Sequence, residues 1–177
     1  MLTVGSNLLE LTKQNKICDH ILIEEFSLKI RLGRQYYEPK SDLFKPIVYG
    51  SHPDPTDLFH EKSTITQNLL LKSGARVIGC SHDRYRIPLD YFGLVQTKGT
   101  LARMFVQVTC NDGQIEPGFD GFITLEIVNL SPWTIELPKS SEIGQLFLFK
   151  TSTPTRNGYS GRYAEGAKEG PTLPIFL

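Results

Sequence analysis

The stretch KGTLARMFVQVTCNDGQIEPGFDGFITLEIVN, residues 98–129, decides how the rest of the chain is read, because cations, carboxylates and a tight turn fall within one short run. Its second half is a turn feeding a strand. Glu116-Pro117-Gly118-Phe119 supplies a proline with preset φ and then a glycine that tolerates positive φ, the chemistry of a type II turn. From Phe122 to Val128 the side chains alternate, with Ile123, Leu125 and Ile127 on one face and Thr124, Glu126 and Val128 on the other. A period of two is that of a half-buried strand. Glu126 is thereby set on a rigid element, on the face turned away from the aliphatic residues, with Thr124 one repeat before it. Two readings of Glu126 stand here: a solvated charge on an outer strand face, or a carboxylate held for chemistry.

Working outward, the same alternation recurs. Phe26, Leu28, Ile30 and Leu32 alternate with Ser27, Lys29 and Arg31 before Gly33, which predicts a strand with one apolar face. Leu69–Leu71, Arg76–Cys80, Phe92–Gln96, Phe105–Thr109, Thr134–Leu137 and Leu146–Lys150 are further strand candidates. Many short strands separated by Gly and Pro turns predict an all-β fold, a sandwich or barrel. Ahead of them, Ser6 or Asn7 can cap a short helix that carries Leu8, Leu9 and Leu11, has Glu10 in its first turn and ends near Lys16. Residues 41–64 carry Pro46, Pro53 and Pro55 and show no sustained period, so they read as a loop or as short edge pieces around Ile47-Val48-Tyr49.

Length and composition narrow the function classes. With 177 residues, 40% of them hydrophobic, residues 1–177 suit one domain with a sizeable core. Lys plus Arg and Asp plus Glu are both 19, so no global field recruits nucleic acid or an acidic membrane, and an anionic ligand must be held by a local cluster. Cys18, Cys80 and Cys110 are odd in number and widely spaced, which gives neither a disulfide framework nor a paired metal motif and suits a reducing cytoplasm. No run of about 18 apolar residues predicts a membrane span. The tail, residues 151–177, has too little periodic apolar content to form an element of its own and is either disordered or a flexible arm that orders on a ligand or partner.

Within the opening stretch, Lys98-Gly99-Thr100 brings a cation, a close-approach residue and a hydroxyl to the start of a possible helical turn, Leu101-Ala102-Arg103. Backbone N–H groups there can hold a phosphate. The triplet is equally an ordinary loop, and it lacks the upstream glycine of a P-loop.

KGTLAR (98–103), QIEPGFDGFITLEI (114–127), Ile143-Gly144-Gln145 and GRYAEGAKEGPTLP (161–174), in that order, resemble the motifs of the dCTP deaminase branch of the dUTPase-like trimeric nucleotide hydrolases. SLKIRLGRQY (27–36) is a weaker match, and residues 71–95 have the family's spacing of a strand leading into KGTLAR. The resemblance thus spans nearly the whole chain. It implies a distorted jelly-roll or β-barrel with a short N-terminal helix, a homotrimer with sites at subunit boundaries, and a deoxynucleoside triphosphate ligand, dCTP or dUTP, with Mg2+ bound through the triphosphate and no metal-ligating residues.

The resemblance also implies roles. Glu126 is the general acid/base and Arg103 belongs to the catalytic centre; Lys98, Thr100 and Gln145 meet phosphate; Thr124 lines the base pocket. Glu116, where most members carry Asp, would bond the 3′-hydroxyl, or else it is a carboxylate flanking a turn. Tyr159 and Arg162 would close over the triphosphate as part of a lid, or else they belong to a floppy polar terminus. Zinc deaminases make their nucleophile with an H-x-E and P-C-x-x-C constellation. Neither pattern is present, so the implied deamination is zinc-independent, with a Glu assisted by an Arg.

Three positions depart from the family pattern. Gly99 replaces a serine that helps position the nucleophilic water, Lys29 replaces an aspartate, and Ala164 stands where the tail presents a glutamine. Three functions therefore stay open: a dCTP deaminase, a pyrophosphatase acting on dUTP or another deoxynucleotide alone or together with deamination, and a catalytically silent nucleotide-binding or regulatory protein.

Overall fold

The computed structural model describes residues 1–42, 46–48 and 50–176. Its strands are β1 (Leu28–Tyr37), β2 (Ser63–Thr64), β3 (Asn68–Leu71), β4 (Arg76–Arg86), β5 (Tyr91–Thr97), β6 (Val106–Gln107), β7 (Gln114–Ile115), β8 (Asp120–Asn129), β9 (Ile135–Pro138) and β10 (Glu142–Lys150). Among the described residues, three α-helices accompany them, α1 (Gly5–Asn15), α2 (Pro55–Leu58) and α3 (Gly99–Arg103), with 3-10 helices at His20–Leu22 and Gly166–Lys168. The main sheet runs β6-β8-β4-β1-β10-β5-β7, with β2 on β1, and β3 pairs with β9 in a smaller sheet. Every pairing is antiparallel. The fold is mainly β, as the strand spacing predicts.

The main sheet curls because β1 changes partner along its length. Leu28–Arg31 pair with β10, and Leu32–Tyr37 pair with β4 through a shifted register. Gly33 lies at the changeover, where a Cβ would stand 2.6 Å from Cys80 O and 2.8 Å from Ser81 O. Only glycine permits that approach of two backbones. The curl turns Leu28, Ile30, Leu125, Ile127, Leu146 and Leu148 inward, and all are essentially inaccessible to water. Burying each such side chain stabilises the fold by roughly 1.5–3 kcal/mol.

Several expectations need correction. Helix α1 begins at Gly5, so neither Ser6 nor Asn7 caps it, and Glu10 lies beyond the first turn. The reason is upstream: Thr3 N–H bonds Leu148 O and Gly5 N–H bonds Glu25 O, so the chain is pinned along β10 until Gly5, at φ +58°, turns it into the helix. Phe26 is exposed rather than on the apolar face of β1. Ile23 pairs with Leu28, and Glu24 N–H bonds Ser27 O, so Phe26 lies in a tight turn before the strand begins.

Phe105 is likewise not in a strand. It leaves α3 at φ +58° with its N–H on Ala102 O, and β6 is only Val106–Gln107. Within residues 41–64, Asp54 accepts from Thr56 N–H and Pro55 occupies the first turn, making the short helix α2. That cap and proline pair is a helix-start signal that the lack of period hid. Ile47 and Val48 are exposed and in no regular element, while Tyr49 lies outside the described residues.

Candidate active site on strand β8

β8 lies between β4 and β6, opposite Ile78 and Cys80 at Glu126 and Thr124. Its burial alternates without a break from Asp120 to Asn129, with the Thr124 and Glu126 face half-buried. The turn before it has the geometry its sequence dictates: Gly118 is at φ +83°, and Phe119 N–H bonds Glu116 O at 3.1 Å. Gly118 also abuts Gly158 and Tyr159 of the tail. Tyr159 N–H bonds Pro117 O at 2.9 Å, and its ring lies 6.1 Å from that of Phe119.

A cavity of about 490 Å³ opens between β8, the segment around β7 and the tail. Glu116, Thr124, Glu126, Tyr159 and Arg162 all line it. Glu126 is not a solvated surface charge, for its Oε2 is buried and has no hydrogen-bond partner among the described residues. Burial pushes its carboxyl up to about 7, opposed by a bond from its own backbone N–H and assisted by the charge of Asp112. A carboxyl that changes protonation near neutrality suits proton transfer in both directions.

The tail supplies one wall. Thr155 N–H bonds Leu89 O, Ala167 packs against Gly121, and Thr172 bonds Thr124. Arg162 Nη1 donates to Ile175 O at 3.0 Å. Burial and the Glu116 charge raise the Tyr159 phenol above its ordinary range.

The other sequence-selected residues lie elsewhere, and none of Lys98, Thr100, Arg103 and Gln145 lines this cavity. Lys98 Nζ bonds Glu142 Oε2 at 2.6 Å, while Lys29 Nζ reaches Glu142 Oε1 at 2.7 Å. Gln145 donates to Glu24 Oε2 and to Ser27 Oγ. Lys29, followed by Lys98, holds the Glu142 carboxyl below its ordinary range. Thr100 and Arg103 are exposed on α3, where Arg103 Nη1 donates to Gly99 O at 2.9 Å. A Cβ on Gly99 would stand 2.9 Å from Arg103 Nη1, the far end of a flexible side chain, so a serine there needs only that guanidinium to shift. Within one chain, then, Arg103 does not meet Glu126.

Sequence reasoning missed Glu142, Asp112 and Thr172. Glu142 immediately precedes the Ile143-Gly144-Gln145 motif but stands three residues from its Gln, across a register irregularity in the β1 pairing, so no strand period marked it. Asp112 and Thr172 fall in segments without period, and no local signal marks them.

A curled antiparallel sheet with a half-buried carboxyl on a central strand, a type II turn beside it and a tail laid over both is the arrangement that the resemblance to the dUTPase-like fold implies. A family model described as dCTP deaminase-like matches residues 5–151, and the chain belongs to that family. Among curated relatives, the dUMP-forming dCTP deaminase of Kocuria rhizophila is 30% identical over 162 residues, covering 87% of this chain and 81% of that one. The dCTP deaminase of Haloarcula marismortui is 29% identical over 141 residues, covering 78% and 72%. The crystal structure of 2′-deoxycytidine 5′-triphosphate deaminase from Agrobacterium tumefaciens is similar with a TM-score of 0.61 at 18% identity, covering 83% of this chain and 47% of that one. This chain thus spans about half the length of that structure, and the likeness bears on the fold alone. No helix among the described residues is long and apolar enough to cross a membrane.

Proposed function

We propose that the protein deaminates a cytosine deoxynucleotide hydrolytically, without zinc, converting dCTP to dUTP in a reducing cytoplasm. The observation that carries this reading is the buried, partnerless Oε2 of Glu126 in the cavity wall. With cytosine in the cavity, the Glu126 carboxylate takes a proton from water as the oxygen attacks C4, and the resulting carboxylic acid protonates N3. A second proton transfer through the same carboxyl, from the C4 hydroxyl to the amino group, expels ammonia and leaves the carbonyl of uracil. One group changing protonation near pH 7 serves both transfers.

Thr124 is assigned to the base and Glu116 to the 3′-hydroxyl. Tyr159 and Arg162 close the site from the tail. Lys98, Thr100, Gln145 and Arg103 line no part of this cavity, so we assign them to a neighbouring copy's site, with three copies sharing three sites. A chain of zero net charge gathers cations for a triphosphate in that way. Magnesium enters as part of the triphosphate. Glu142 and Glu24 are already engaged by Lys29, Lys98 and Gln145, so no side chain is assigned to the metal.

A second reading, deamination coupled to pyrophosphate release, is favoured by the likeness to several dUMP-forming dCTP deaminases. Incubating the protein with each deoxynucleoside triphosphate and magnesium, then separating products by chromatography, distinguishes them. Deamination gives dUTP, the coupled reaction gives dUMP, and unchanged dCTP counts against both.

A further inference from the structure

Two walls of the Glu126 cavity carry acids. Thr124 and Glu126 come from β8, and Asp112, Gln114 and Glu116 from the β7 side. The chain reverses between these walls at residues 116–119, so residues further from the turn on one side run beside residues further from it on the other. Asp112 accordingly comes towards Glu126, while Glu116 stays by the turn, towards Tyr159. The charges agree with that placement. Burial is the main cause of the raised Glu126 carboxyl, and the charge that adds to it is that of Asp112. For Tyr159, burial is again first and the charge of Glu116 follows. Asp112 is also held in place: its N–H bonds Thr109 O at 2.8 Å, the carbonyl of Gly113 accepts from Val95 N–H at 2.7 Å, and Asp112 Oδ1 accepts from Gln114 N–H at 3.1 Å. That fixes the carboxylate through one oxygen and leaves the other for a ligand. Against Asp112, Glu116 and Glu126 the cavity wall has, among the described residues, one cation, Arg162.

Cytosine and uracil differ at the end of the ring that meets Glu126. At C4 cytosine carries an amino group, a donor, and uracil a carbonyl, an acceptor. Glu126 is engaged with the water and with N3 and cannot also hold the amino group. We propose that Asp112 reads the C4 substituent: its second carboxylate oxygen accepts an N–H of the cytosine amino group and turns away the carbonyl of uracil. This rests on the deamination reading given above. When the proton of the C4 hydroxyl reaches the nitrogen through Glu126, the departing group is an ammonium on C4. The C–N bond then breaks, its electron pair leaves with the nitrogen as ammonia, and a pair on the oxygen closes the carbonyl. Asp112 faces the ammonium charge before that step and the carbonyl after it, so one carboxylate favours the leaving group and disfavours the product. Asp112 is a specificity-determining residue, and the proton shuttle remains Glu126.

Asp112→Asn tests this in the full chain, since it removes the charge while its amide oxygen can still accept from Gln114 N–H. Ammonia release from dCTP reads the effect on the leaving group, and kcat should fall by about tenfold or more. Calorimetric titration with dCTP and with dUTP, carried out in Glu126→Gln so that dCTP is not deaminated, reads the discrimination. Adding Asp112→Asn to that protein should shrink the preference for dCTP over dUTP by about tenfold or more, because a charge-assisted bond to the amino group is lost and a donor to the uracil carbonyl is gained. Asp112→Ser, which keeps an acceptor for Gln114 N–H and adds no amide, should move the ratio in the same direction. A ratio unchanged in both variants, or an unchanged kcat, overturns the inference and leaves the proposed function standing. So does an equal loss of affinity for both nucleotides, which is what a role confined to shaping the Thr109–Gln114 turn would give. No ammonia release from dCTP by the unaltered protein overturns the proposed function and this inference together.

Discussion

Thr172 donates its backbone N–H to Thr124 Oγ1 at 3.2 Å, and the two hydroxyls lie 3.0 Å apart. The tail is thereby tied to the residue one strand repeat before Glu126, and it helps keep water from the carboxyl. Thr172→Val should remove the hydroxyl–hydroxyl contact while keeping the backbone N–H bond, at a cost of about 1 kcal/mol. Opening of the tail would also lower the Glu126 carboxyl towards its ordinary range. Carbon-detected titration of Glu126 checks this, and an unchanged value together with unchanged stability counts against a tail that shields the site.

Burial of Glu126 sets a pH dependence of stability with a definite sign. Its carboxyl is at about 7 in the folded chain and at its ordinary 4.5 when unfolded. Between those values the unfolded chain has released the proton and the folded chain retains it, so stability falls as pH rises through that window and levels off above it. The loss is at most about 3 kcal/mol. Glu126→Gln should remove the slope, becoming more stable than the unaltered protein at about pH 8 and comparable to it at about pH 5. Urea unfolding at both pH values is the measurement, and parallel profiles would contradict the burial of this group.

The turn that precedes β8 depends on its glycine twice over. At φ +83°, Gly118 adopts a conformation unfavourable to other residues, and a Cβ there would run into Gly158 and stand 2.8 Å from Tyr159 N. Gly118→Ala should destabilise the chain by roughly 1–3 kcal/mol and displace the tail. Thermal unfolding combined with limited proteolysis after Thr151 reads both effects.

Asn129 ends β8 in a fully buried position. Its amide donates to Leu71 O, Lys72 O and Trp133 O, and its oxygen accepts from Ser131 N–H and Oγ. Asn129→Ala should strand these groups without solvent and cost on the order of 3 kcal/mol or more. Denaturant unfolding checks the size of the loss.

How legible all this was in sequence depended on periodicity. β8 declared itself because Ile123, Leu125 and Ile127 alternate with polar residues, and Glu116-Pro117-Gly118 fixed the turn through backbone sterics alone. Phe26 and Phe105 misled because hydrophobicity continues the apolar pattern in sequence while a tight turn and a positive φ break it in space. Glu126 could be placed on a face but not at a depth, since its burial comes from the tail, far away in sequence, and from the irregular segment around β7, whose approach to β8 no period encodes. The Lys29–Glu142–Lys98 bridge was invisible for a related reason: it needs β1 and β5 paired on either side of β10, which no local pattern encodes.

The role of Glu126 is tested most directly by following ammonia release from dCTP in the unaltered protein and in Glu126→Gln, with nucleotide binding measured in parallel. The variant keeps the shape and hydrogen-bonding reach of the side chain and loses its acid/base function. Binding should persist while turnover falls by roughly two to four orders of magnitude. Turnover in the variant equal to that of the unaltered protein would contradict the assignment of Glu126 as the proton shuttle.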